Sequence, residues 1–370
     1  MGFLEVTRVI YLSLIGFSPL AIGIITTVGT VFRAFESLIF GSLSDRFGRK
    51  PFLLFGAFFS TIRLVLYALS RDFWVITIAQ GLGSLGEGQG AGQPVVSGYI
   101  SDKTEIRDRS RIFSVIAISQ AISGTIGSLM GGLPSLFRHL FELDEASSNI
   151  PLFWIGVFLN IMGLILILPL KEVQREDEER EIGVSPNVPW KDIALFSMIR
   201  STDGLAIGLI SPLLPLYFYL RFGVGSDALA PVYALARFLP IFVFLIVPFI
   251  EDKFGNVNGL LVTRLLSGMI TFLFALTPVF HLATVLFVVY RVLLQFSMPL
   301  RQAFATDIVE PSKVGMMIGV SGSARAFSQS IAPTLAGYMF ESASLLFPLL
   351  SGALLLALNG IQYRVIYKKK

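Results

Sequence analysis

Charged side chains inside long apolar segments are the residues of this chain that could do chemistry. A charge at mid-bilayer depth costs roughly 2.5–3.5 kcal/mol on insertion scales, so such a residue is expected to face a cavity or a partner. Arginines outnumber acids in these segments. The arginines are Arg8, Arg33, Arg63, Arg200, Arg237, Arg264, Arg291, Arg301 and Arg325, and the acids are Glu5, Glu36, Glu87 and Asp203.

Three of the acids have an arginine three residues away, on the same face of a helix. The pairs are Glu5 with Arg8, Arg33 with Glu36, and Arg200 with Asp203. Within each pair, mutual neutralisation competes with a role in binding solute or protons. Arg264 and Arg301 lie near predicted helix ends, where we expect their long side chains to reach the interface.

The remaining arginines have no acid nearby in sequence, and two interpretations stay open for them. They could line a cationic cavity for an anionic substrate, or they could pair with groups on other helices. These residues are Arg63, Arg237, Arg291 and Arg325.

Glu87 is a candidate proton carrier because it lies near the centre of its apolar segment without a basic neighbour on the same helix. Burial disfavours the charged form of a carboxyl group, which suits a group that must gain and lose a proton. The alternative is a protonated glutamate that forms a hydrogen bond across helices.

The composition indicates that these charges sit in membrane helices. Hydrophobic residues make up 54% of the 370 positions and charged residues only 15%, whereas soluble domains carry about 25% charged residues. A membrane-spanning helix needs about 20 mainly apolar residues. The sequence predicts an all-α membrane protein with spans near 1–16, 18–43, 51–70, 73–100, 111–133, 151–170, 191–220, 227–250, 259–279, 282–308, 314–339 and 344–366.

The composition also excludes several kinds of site. The absence of cysteine removes disulfides, thiolate metal sites and a cysteine nucleophile, and two histidines make a histidine metal centre improbable. We therefore expect no metal, no cofactor, no nucleic-acid partner and no enzymatic activity. The predicted partners are a small-molecule substrate, a proton as co-substrate and the lipid bilayer, with the protein as a monomer.

Loop charges predict the orientation. Lysines and arginines concentrate on the side that holds Arg46, Lys103, Lys171 and the terminal lysines, which the positive-inside rule makes cytoplasmic. Both termini are then cytoplasmic in a multi-pass protein of the cell membrane. The polar stretch 171–190 is interpreted as a cytoplasmic linker between an N-terminal six-helix half, 1–170, and a C-terminal six-helix half, 191–370.

The two halves repeat each other in sequence. Tyr11 aligns with Tyr217, and Gly48 with Gly255, over segments that match to within one residue in length. Further on, the stretch 127–132 aligns with 332–337. Duplicated halves joined by short loops are typical of secondary transporters, which bind substrate between the repeats.

The loop GSLSDRFGRKPFL, residues 41–53, resembles the signature between helices 2 and 3 of the major facilitator superfamily. The matching positions include Gly41, Asp45, Arg46, Gly48, Arg49 and Lys50. The resemblance implies the fold of that superfamily, with two pseudo-symmetric six-helix bundles and twelve transmembrane helices. It also implies that Asp45 latches the cytoplasmic gate, while the plainer interpretation is a basic turn that sets topology.

Glycine-rich segments are interpreted as sites of close helix packing. GLGSLG at 81–86 matches a dinucleotide-binding pattern, but it lies within an apolar helix without a preceding strand, so packing is the better interpretation. The segment around Gly127, Gly131 and Gly132, and its counterpart around Pro333 and Gly337, resemble the antiporter signature of the superfamily. Ser128 stands where that signature has proline.

The sequence therefore predicts a secondary active transporter for an organic anion or an amphipathic, drug-like solute, working by alternating access and coupled to protons. The alternatives are a channel or scramblase on the same scaffold, or a sensor without transport. The substrate and proton-coupling candidates are Glu87, Arg33, Glu36, Glu5, Arg8, Arg200, Asp203, Arg237, Arg291 and Arg325.

The first predicted helix is short. The repeat leaves only ten residues before Tyr11, whereas the second half has about twenty-six before Tyr217. We expect a helix 1 that falls short of the roughly 30 Å hydrocarbon core, and a start site upstream of Met1 as the explanation.

Overall fold

The computed structural model describes residues 2–86, 92–104, 106–171, 189–309 and 314–367, and every regular element in these ranges is helical. The first part of the chain forms α1 (Gly2–Leu14), α2 (Pro19–Phe47), α3 (Arg49–Leu69), α4 (Phe73–Leu82), α5 (Gly92–Lys103), α6 (Ile106–Leu129), α7 (Leu133–Leu140) and α8 (Ile150–Ile167). The second part forms α9 (Trp190–Ile210), α10 (Leu214–Phe222), α11 (Ser226–Phe238), α12 (Pro240–Leu276), α13 (Phe280–Ile308), α14 (Val314–Ser342) and α15 (Phe347–Tyr367). The element α12 consists of two consecutive helices that meet at Gly255, where the backbone is not helical.

Within the described ranges, 8 helical segments are long and apolar enough to cross a membrane. They correspond to predicted spans 2, 3, 5, 6, 7, 9, 10 and 12. The other predicted spans correspond to α1, to α4 with α5, to α11 with the start of α12, and to α14. The all-α membrane fold predicted from the sequence is confirmed.

The predicted spans 73–100, 191–220 and 227–250 are each divided in the structure. After α4 the chain tightens into a 3₁₀ turn over Gly83–Gly86. The segment predicted as 191–220 is divided because α9 ends at Ile210, and Pro215 occupies the first turn of α10. Proline there lacks the N–H that a continuing helix would need. The segment predicted as 227–250 is divided for the same reason, because Pro240 begins α12.

The ends of α2 and α4 follow from local capping. The Ser18 side chain accepts a hydrogen bond from the Ala21 N–H, and Pro19 follows at the first helical position. At the start of α4, the Asp72 carboxylate accepts from the Val75 N–H at 2.9 Å. Such caps satisfy amide groups that the first turn leaves without helical partners.

Helix α1 is short, as the sequence predicted. Its 13 residues span about 20 Å at 1.5 Å per residue, against a hydrocarbon core of roughly 30 Å. The upstream start site stays a prediction.

The two parts of the chain meet along α2 and α14. The Thr27 and Thr334 hydroxyls are 2.8 Å apart, and Thr30 donates to the Ser330 carbonyl. A Cβ added at Gly23 would lie 2.5 Å from the Pro333 carbonyl oxygen, so glycine is required for the close approach of these helices.

Candidate functional site

Glu5 joins the two parts of the chain through a three-residue charge cluster. Arg237 on α11 donates from Nε to Glu5 Oε2 at 3.0 Å and also bonds that oxygen through Nη2. Arg291 on α13 places Nη2 at 3.2 Å from the other oxygen, Oε1. Both carboxylate oxygens of this α1 residue are therefore bound to guanidinium groups of the second part. The three side chains remain 25–29% exposed, so the cluster is reachable from an open space.

Close packing positions this cluster, which we call the Glu5 cluster. A Cβ at Gly124 of α6 would lie 2.7 Å from Arg237 Nη1, so the glycine leaves room for the guanidinium group. Beside Arg291, the Tyr290 hydroxyl contacts the Ser211 hydroxyl at 3.4 Å. The cluster thus lies where α1, α6, α11 and α13 converge.

A second cluster surrounds Asp203 on α9. Arg264 Nη2 lies 2.6 Å from Oδ1, while Arg301 Nη1 and Arg325 Nε lie 2.5 and 2.9 Å from Oδ2. Arg200 Nη1 is more distant, at 3.6 Å from Oδ2. One carboxylate therefore faces four guanidinium groups from four helices, and this Asp203 cluster carries an excess of positive charge.

The Asp203 cluster is buried on one side and open on the other. Asp203 and Arg264 have no exposed side-chain surface, whereas Arg325 is 26% exposed. Glycines bring the backbones together here: Gly204 packs on the Arg325 backbone, and a Cβ at Gly360 would lie 2.9 Å from Arg264 Cβ. The carboxylate is the counter-charge that makes burial of Arg264 tolerable.

The structure pairs the candidate arginines across helices. Cross-helix pairing was one of the two open interpretations for Arg237, Arg291 and Arg325. The structure has this pairing: Arg237 and Arg291 contact Glu5, and Arg325 contacts Asp203. The local pair Arg200 with Asp203 forms, but its contact is the longest in its cluster. Glu5 directs both oxygens to partners in the other part of the chain.

The other candidates lie elsewhere. Glu36 is buried on α2, and the Ser84 hydroxyl donates to its Oε2. Arg8 on α1 and Arg33 on α2 are half-buried, and Arg63 is buried on α3 against Gly83. Glu87 lies outside the described residues, so its proton-carrier role stays a prediction.

The expectation for Arg264 and Arg301 was wrong. Both side chains turn inward to Asp203 instead of reaching the interface, because the buried carboxylate offers a stronger partner than headgroups do. Sequence spacing could not identify these contacts. The one useful sequence signal was the excess of arginines over acids in the apolar segments, which implies that some acids pair with several arginines.

The signature loop adopts the turn that the sequence predicted. Gly48 links α2 to α3 with φ 90° and ψ 158°, a conformation essentially restricted to glycine. Arg49 donates from Nη1 to the Ser44 hydroxyl, and Lys50 Nζ donates to the Leu168 carbonyl at 2.6 Å. The side chains of Asp45 and Arg46, and the surroundings of Gly41, lie outside the described residues, so the latch stays a prediction.

The predicted packing glycines lie at close helix contacts. An added Cβ at Gly127 would lie 2.8 Å from the Gly2 nitrogen, and Gly131 faces Val6.

Other packing glycines lie between the two parts of the chain. Gly132 faces Ala230, and Gly337 packs on the Pro19 backbone. Pro333 lies inside α14.

In GLGSLG, Gly81 faces the Phe32 ring, 3.3 Å from an added Cβ, and Gly83 accommodates the Arg63 side chain. The geometry is therefore that of helix packing. Among the described residues, no group of three or more histidine, aspartate or glutamate side chains could hold a metal ion.

Comparison with known proteins identifies the class. The family model described as Major Facilitator Superfamily matches residues 9–333, and the chain belongs to that superfamily. It is a membrane transporter and not an enzyme.

The chain is also similar in sequence to a curated relative and in fold to solved structures of transporters. "Multidrug resistance protein 1" of Bacillus subtilis (strain 168) is 24% identical over 333 residues, which cover 88% of this chain and 82% of that protein. The fold matches a bacterial homologue of the human lysosomal transporter Spinster, in an inward-facing and occupied conformation. That match has a TM-score of 0.79 and 15% identity, over 100% of this chain and 93% of the other. The nucleoside transporter NupG matches with a TM-score of 0.71 and 16% identity, over 100% of this chain and 96% of the other.

Proposed function

We propose that the protein is a secondary active transporter that moves a small organic anion or amphipathic solute across the cell membrane by alternating access, with a proton as co-substrate. The observation that carries the proposal is the Glu5 cluster, in which a carboxylate of the first part of the chain binds two guanidinium groups of the second. Substrate binding between repeats is the general pattern of such carriers.

The charges of the Glu5 cluster suggest how solute and proton are coupled. Two guanidinium groups and one carboxylate leave one positive charge. Protonation of Glu5 removes its charge and frees Arg237 and Arg291, whose planar forks suit a carboxylate or phosphate group of a solute. One proton and one monovalent anion would then enter together without changing the net charge of the site.

The half-buried location of the cluster supports an amphipathic solute. The buried aromatic side chain of Tyr233 on α11 lies close to Glu5 and Arg291. Pockets that hold small molecules are usually apolar with a few polar groups. The name of the Bacillus subtilis relative, a multidrug resistance protein, is consistent with such a substrate.

The remaining features of the proposal follow from the sequence. The positive-inside rule puts both termini in the cytoplasm. The protein works as a monomer, with halves 1–170 and 191–370 and linker 171–190. Arg200, Asp203 and Arg325 form a separate cluster, while Arg8, Arg33, Glu36 and Glu87 stay candidates for solute or proton contacts.

Counterflow in proteoliposomes tests the proposal. Thermal shifts of the purified protein first rank a set of radiolabelled organic anions and amphipathic drugs, and the best ligand becomes the probe. A carrier preloaded with unlabelled ligand accumulates the labelled ligand transiently. A channel or scramblase only equilibrates it, and a sensor binds it without flux.

Proton coupling is tested with Glu5→Gln, which keeps the shape of the side chain but cannot exchange a proton. We expect counterflow to continue while accumulation driven by a pH gradient is lost. Arg138→Gln, an exposed position on α7, is the matched control and should retain both activities. Accumulation by Glu5→Gln at the wild-type level would contradict the coupling.

A further inference from the structure

The Asp203 cluster has a charge balance that its own residues leave incomplete. Four guanidinium groups surround one carboxylate, so the described residues of the cluster carry three unmatched positive charges. Like charges at this separation repel strongly in a poorly solvated site. The unmatched positive charge of the cluster therefore favours the binding of an anion.

Two buried side chains of this region have donor atoms without a hydrogen-bond partner among the described residues. Arg264 is fully buried, yet its Nε and Nη1 have no hydrogen-bond partner in the described part of the chain. The Tyr363 hydroxyl of α15 is also buried without a partner there, and it lies near Arg200, Arg264 and Arg301. Buried donors are normally satisfied, so these atoms indicate a missing acceptor.

The cluster is open to a ligand from one side. Arg325 and Arg200 are 26% and 18% exposed, whereas Arg264 and Asp203 are fully enclosed. A small anion can therefore reach the guanidinium groups of Arg325 and Arg200 from this side.

This location differs from that of the Glu5 cluster. Arg291 of the Glu5 cluster and Arg301 of the Asp203 cluster are ten residues apart on α13, which corresponds to about 15 Å along the helix axis. The two clusters therefore lie at different levels of the helix bundle.

We propose that the Asp203 cluster is a binding site for a compact oxyanion, a phosphate group in the first instance, distinct from the transport site. A divalent anion would offset two of the three excess positive charges, and guanidinium forks match the oxygens of a phosphate group. The anion neutralises the repulsion among the arginines and holds α9, α12, α13 and α14 together. The inference does not depend on the proposed function.

Thermal unfolding of the purified full-length protein tests the site. Sodium phosphate is titrated against sodium chloride at equal ionic strength, so that general screening is the same in both series. We expect a saturable rise in Tm with phosphate alone. Equal Tm values in phosphate and chloride would overturn the proposal.

Two variants locate the effect. Arg325→Gln should raise the phosphate concentration needed for half the Tm rise by about ten-fold, while Arg364→Gln, exposed near the end of α15, should leave it unchanged. Arg200→Gln provides an independent second test if Arg325→Gln fails to fold. Wild-type phosphate response in both Arg325→Gln and Arg200→Gln would overturn the assignment.

The source of the phosphate group is distinguished in nanodiscs. Neutral phosphatidylcholine nanodiscs with added phosphate report a free anion, and nanodiscs containing phosphatidic acid without added phosphate report a lipid headgroup. An Arg325-dependent Tm rise in either arm supports the site, and its absence in both overturns it. Glu5→Gln should leave the phosphate response intact, so failure of the transport proposal is separable from failure of this one.

Discussion

Gly48 and Gly255 adopt nearly the same rare backbone conformation at equivalent positions of the two sequence repeats. Gly48 has φ 90° and ψ 158°, and Gly255 has φ 70° and ψ 164°. This region of backbone space is essentially restricted to glycine. The duplicated sequence therefore encodes the same reversal between consecutive helices in both halves.

Gly255→Ala should destabilise the protein by about 1–3 kcal/mol because the backbone, and not packing, forbids a side chain there. An added Cβ at Gly255 meets no atom within 4 Å. Gly163→Ala on α8 is a matched control, since that Cβ also meets open space but the backbone is helical. We expect the control to be neutral or stabilising by up to about 1 kcal/mol. Unfolding in detergent compares them, and equal stabilities would contradict the assignment.

Tyr11→Phe should cost more stability than Tyr217→Phe, although the two tyrosines are repeat equivalents. Tyr11 donates to the Tyr67 carbonyl at 3.0 Å, and Tyr217 donates to the Ala275 carbonyl at 3.4 Å. The Ala275 carbonyl also accepts from Arg221 at 2.5 Å, so it stays satisfied without Tyr217. We expect a loss of about 1 kcal/mol for Tyr11→Phe and clearly less for Tyr217→Phe. The reverse order in thermal unfolding would show that these hydrogen bonds do not govern the difference.

Asp203→Asn should be strongly destabilising, by about 3–5 kcal/mol, because it leaves buried guanidinium groups without their counter-charge. Adding Arg264→Gln should recover part of the loss, since it removes the fully enclosed cation. Glu145→Gln, at an exposed position, is the control and should change stability by less than about 0.5 kcal/mol. Additive losses in the double variant would argue against charge repulsion as the cause.

Thr27→Cys combined with Thr334→Cys should form a disulfide that stops transport. The two hydroxyls are 2.8 Å apart across α2 and α14, and the natural sequence contains no cysteine to compete. A cross-link here prevents the two parts of the chain from separating at this end, which alternating access requires. Counterflow measured before and after reduction should show loss and recovery, and each single variant should remain active. Full counterflow in the oxidised double variant would count against rocking at this contact.

The sequence by itself determined the helical membrane architecture and the repeat. Lipid offers backbone groups no hydrogen-bond partners, so long apolar segments must be helices, and their positions can be found by counting residues. Gly48 and Gly255 were found as equivalents because a sharp reversal leaves little choice of residue. Where prolines and glycines divided the spans, at Gly83–Gly86 and before Pro215, the predicted boundaries were less accurate.

Only the tertiary structure decided which charges meet. Spacing along one helix suggested Arg8 for Glu5 and Arg200 for Asp203, but Glu5 binds Arg237, and the tightest partners of Asp203 come from α12, α13 and α14. Helical periodicity reports only neighbours within a turn, whereas a buried charge attracts every opposite charge that packing brings within a few ångströms. The sequence alone shows that arginines outnumber acids in the membrane segments. The packing of the helices decides which acid pairs with which arginines.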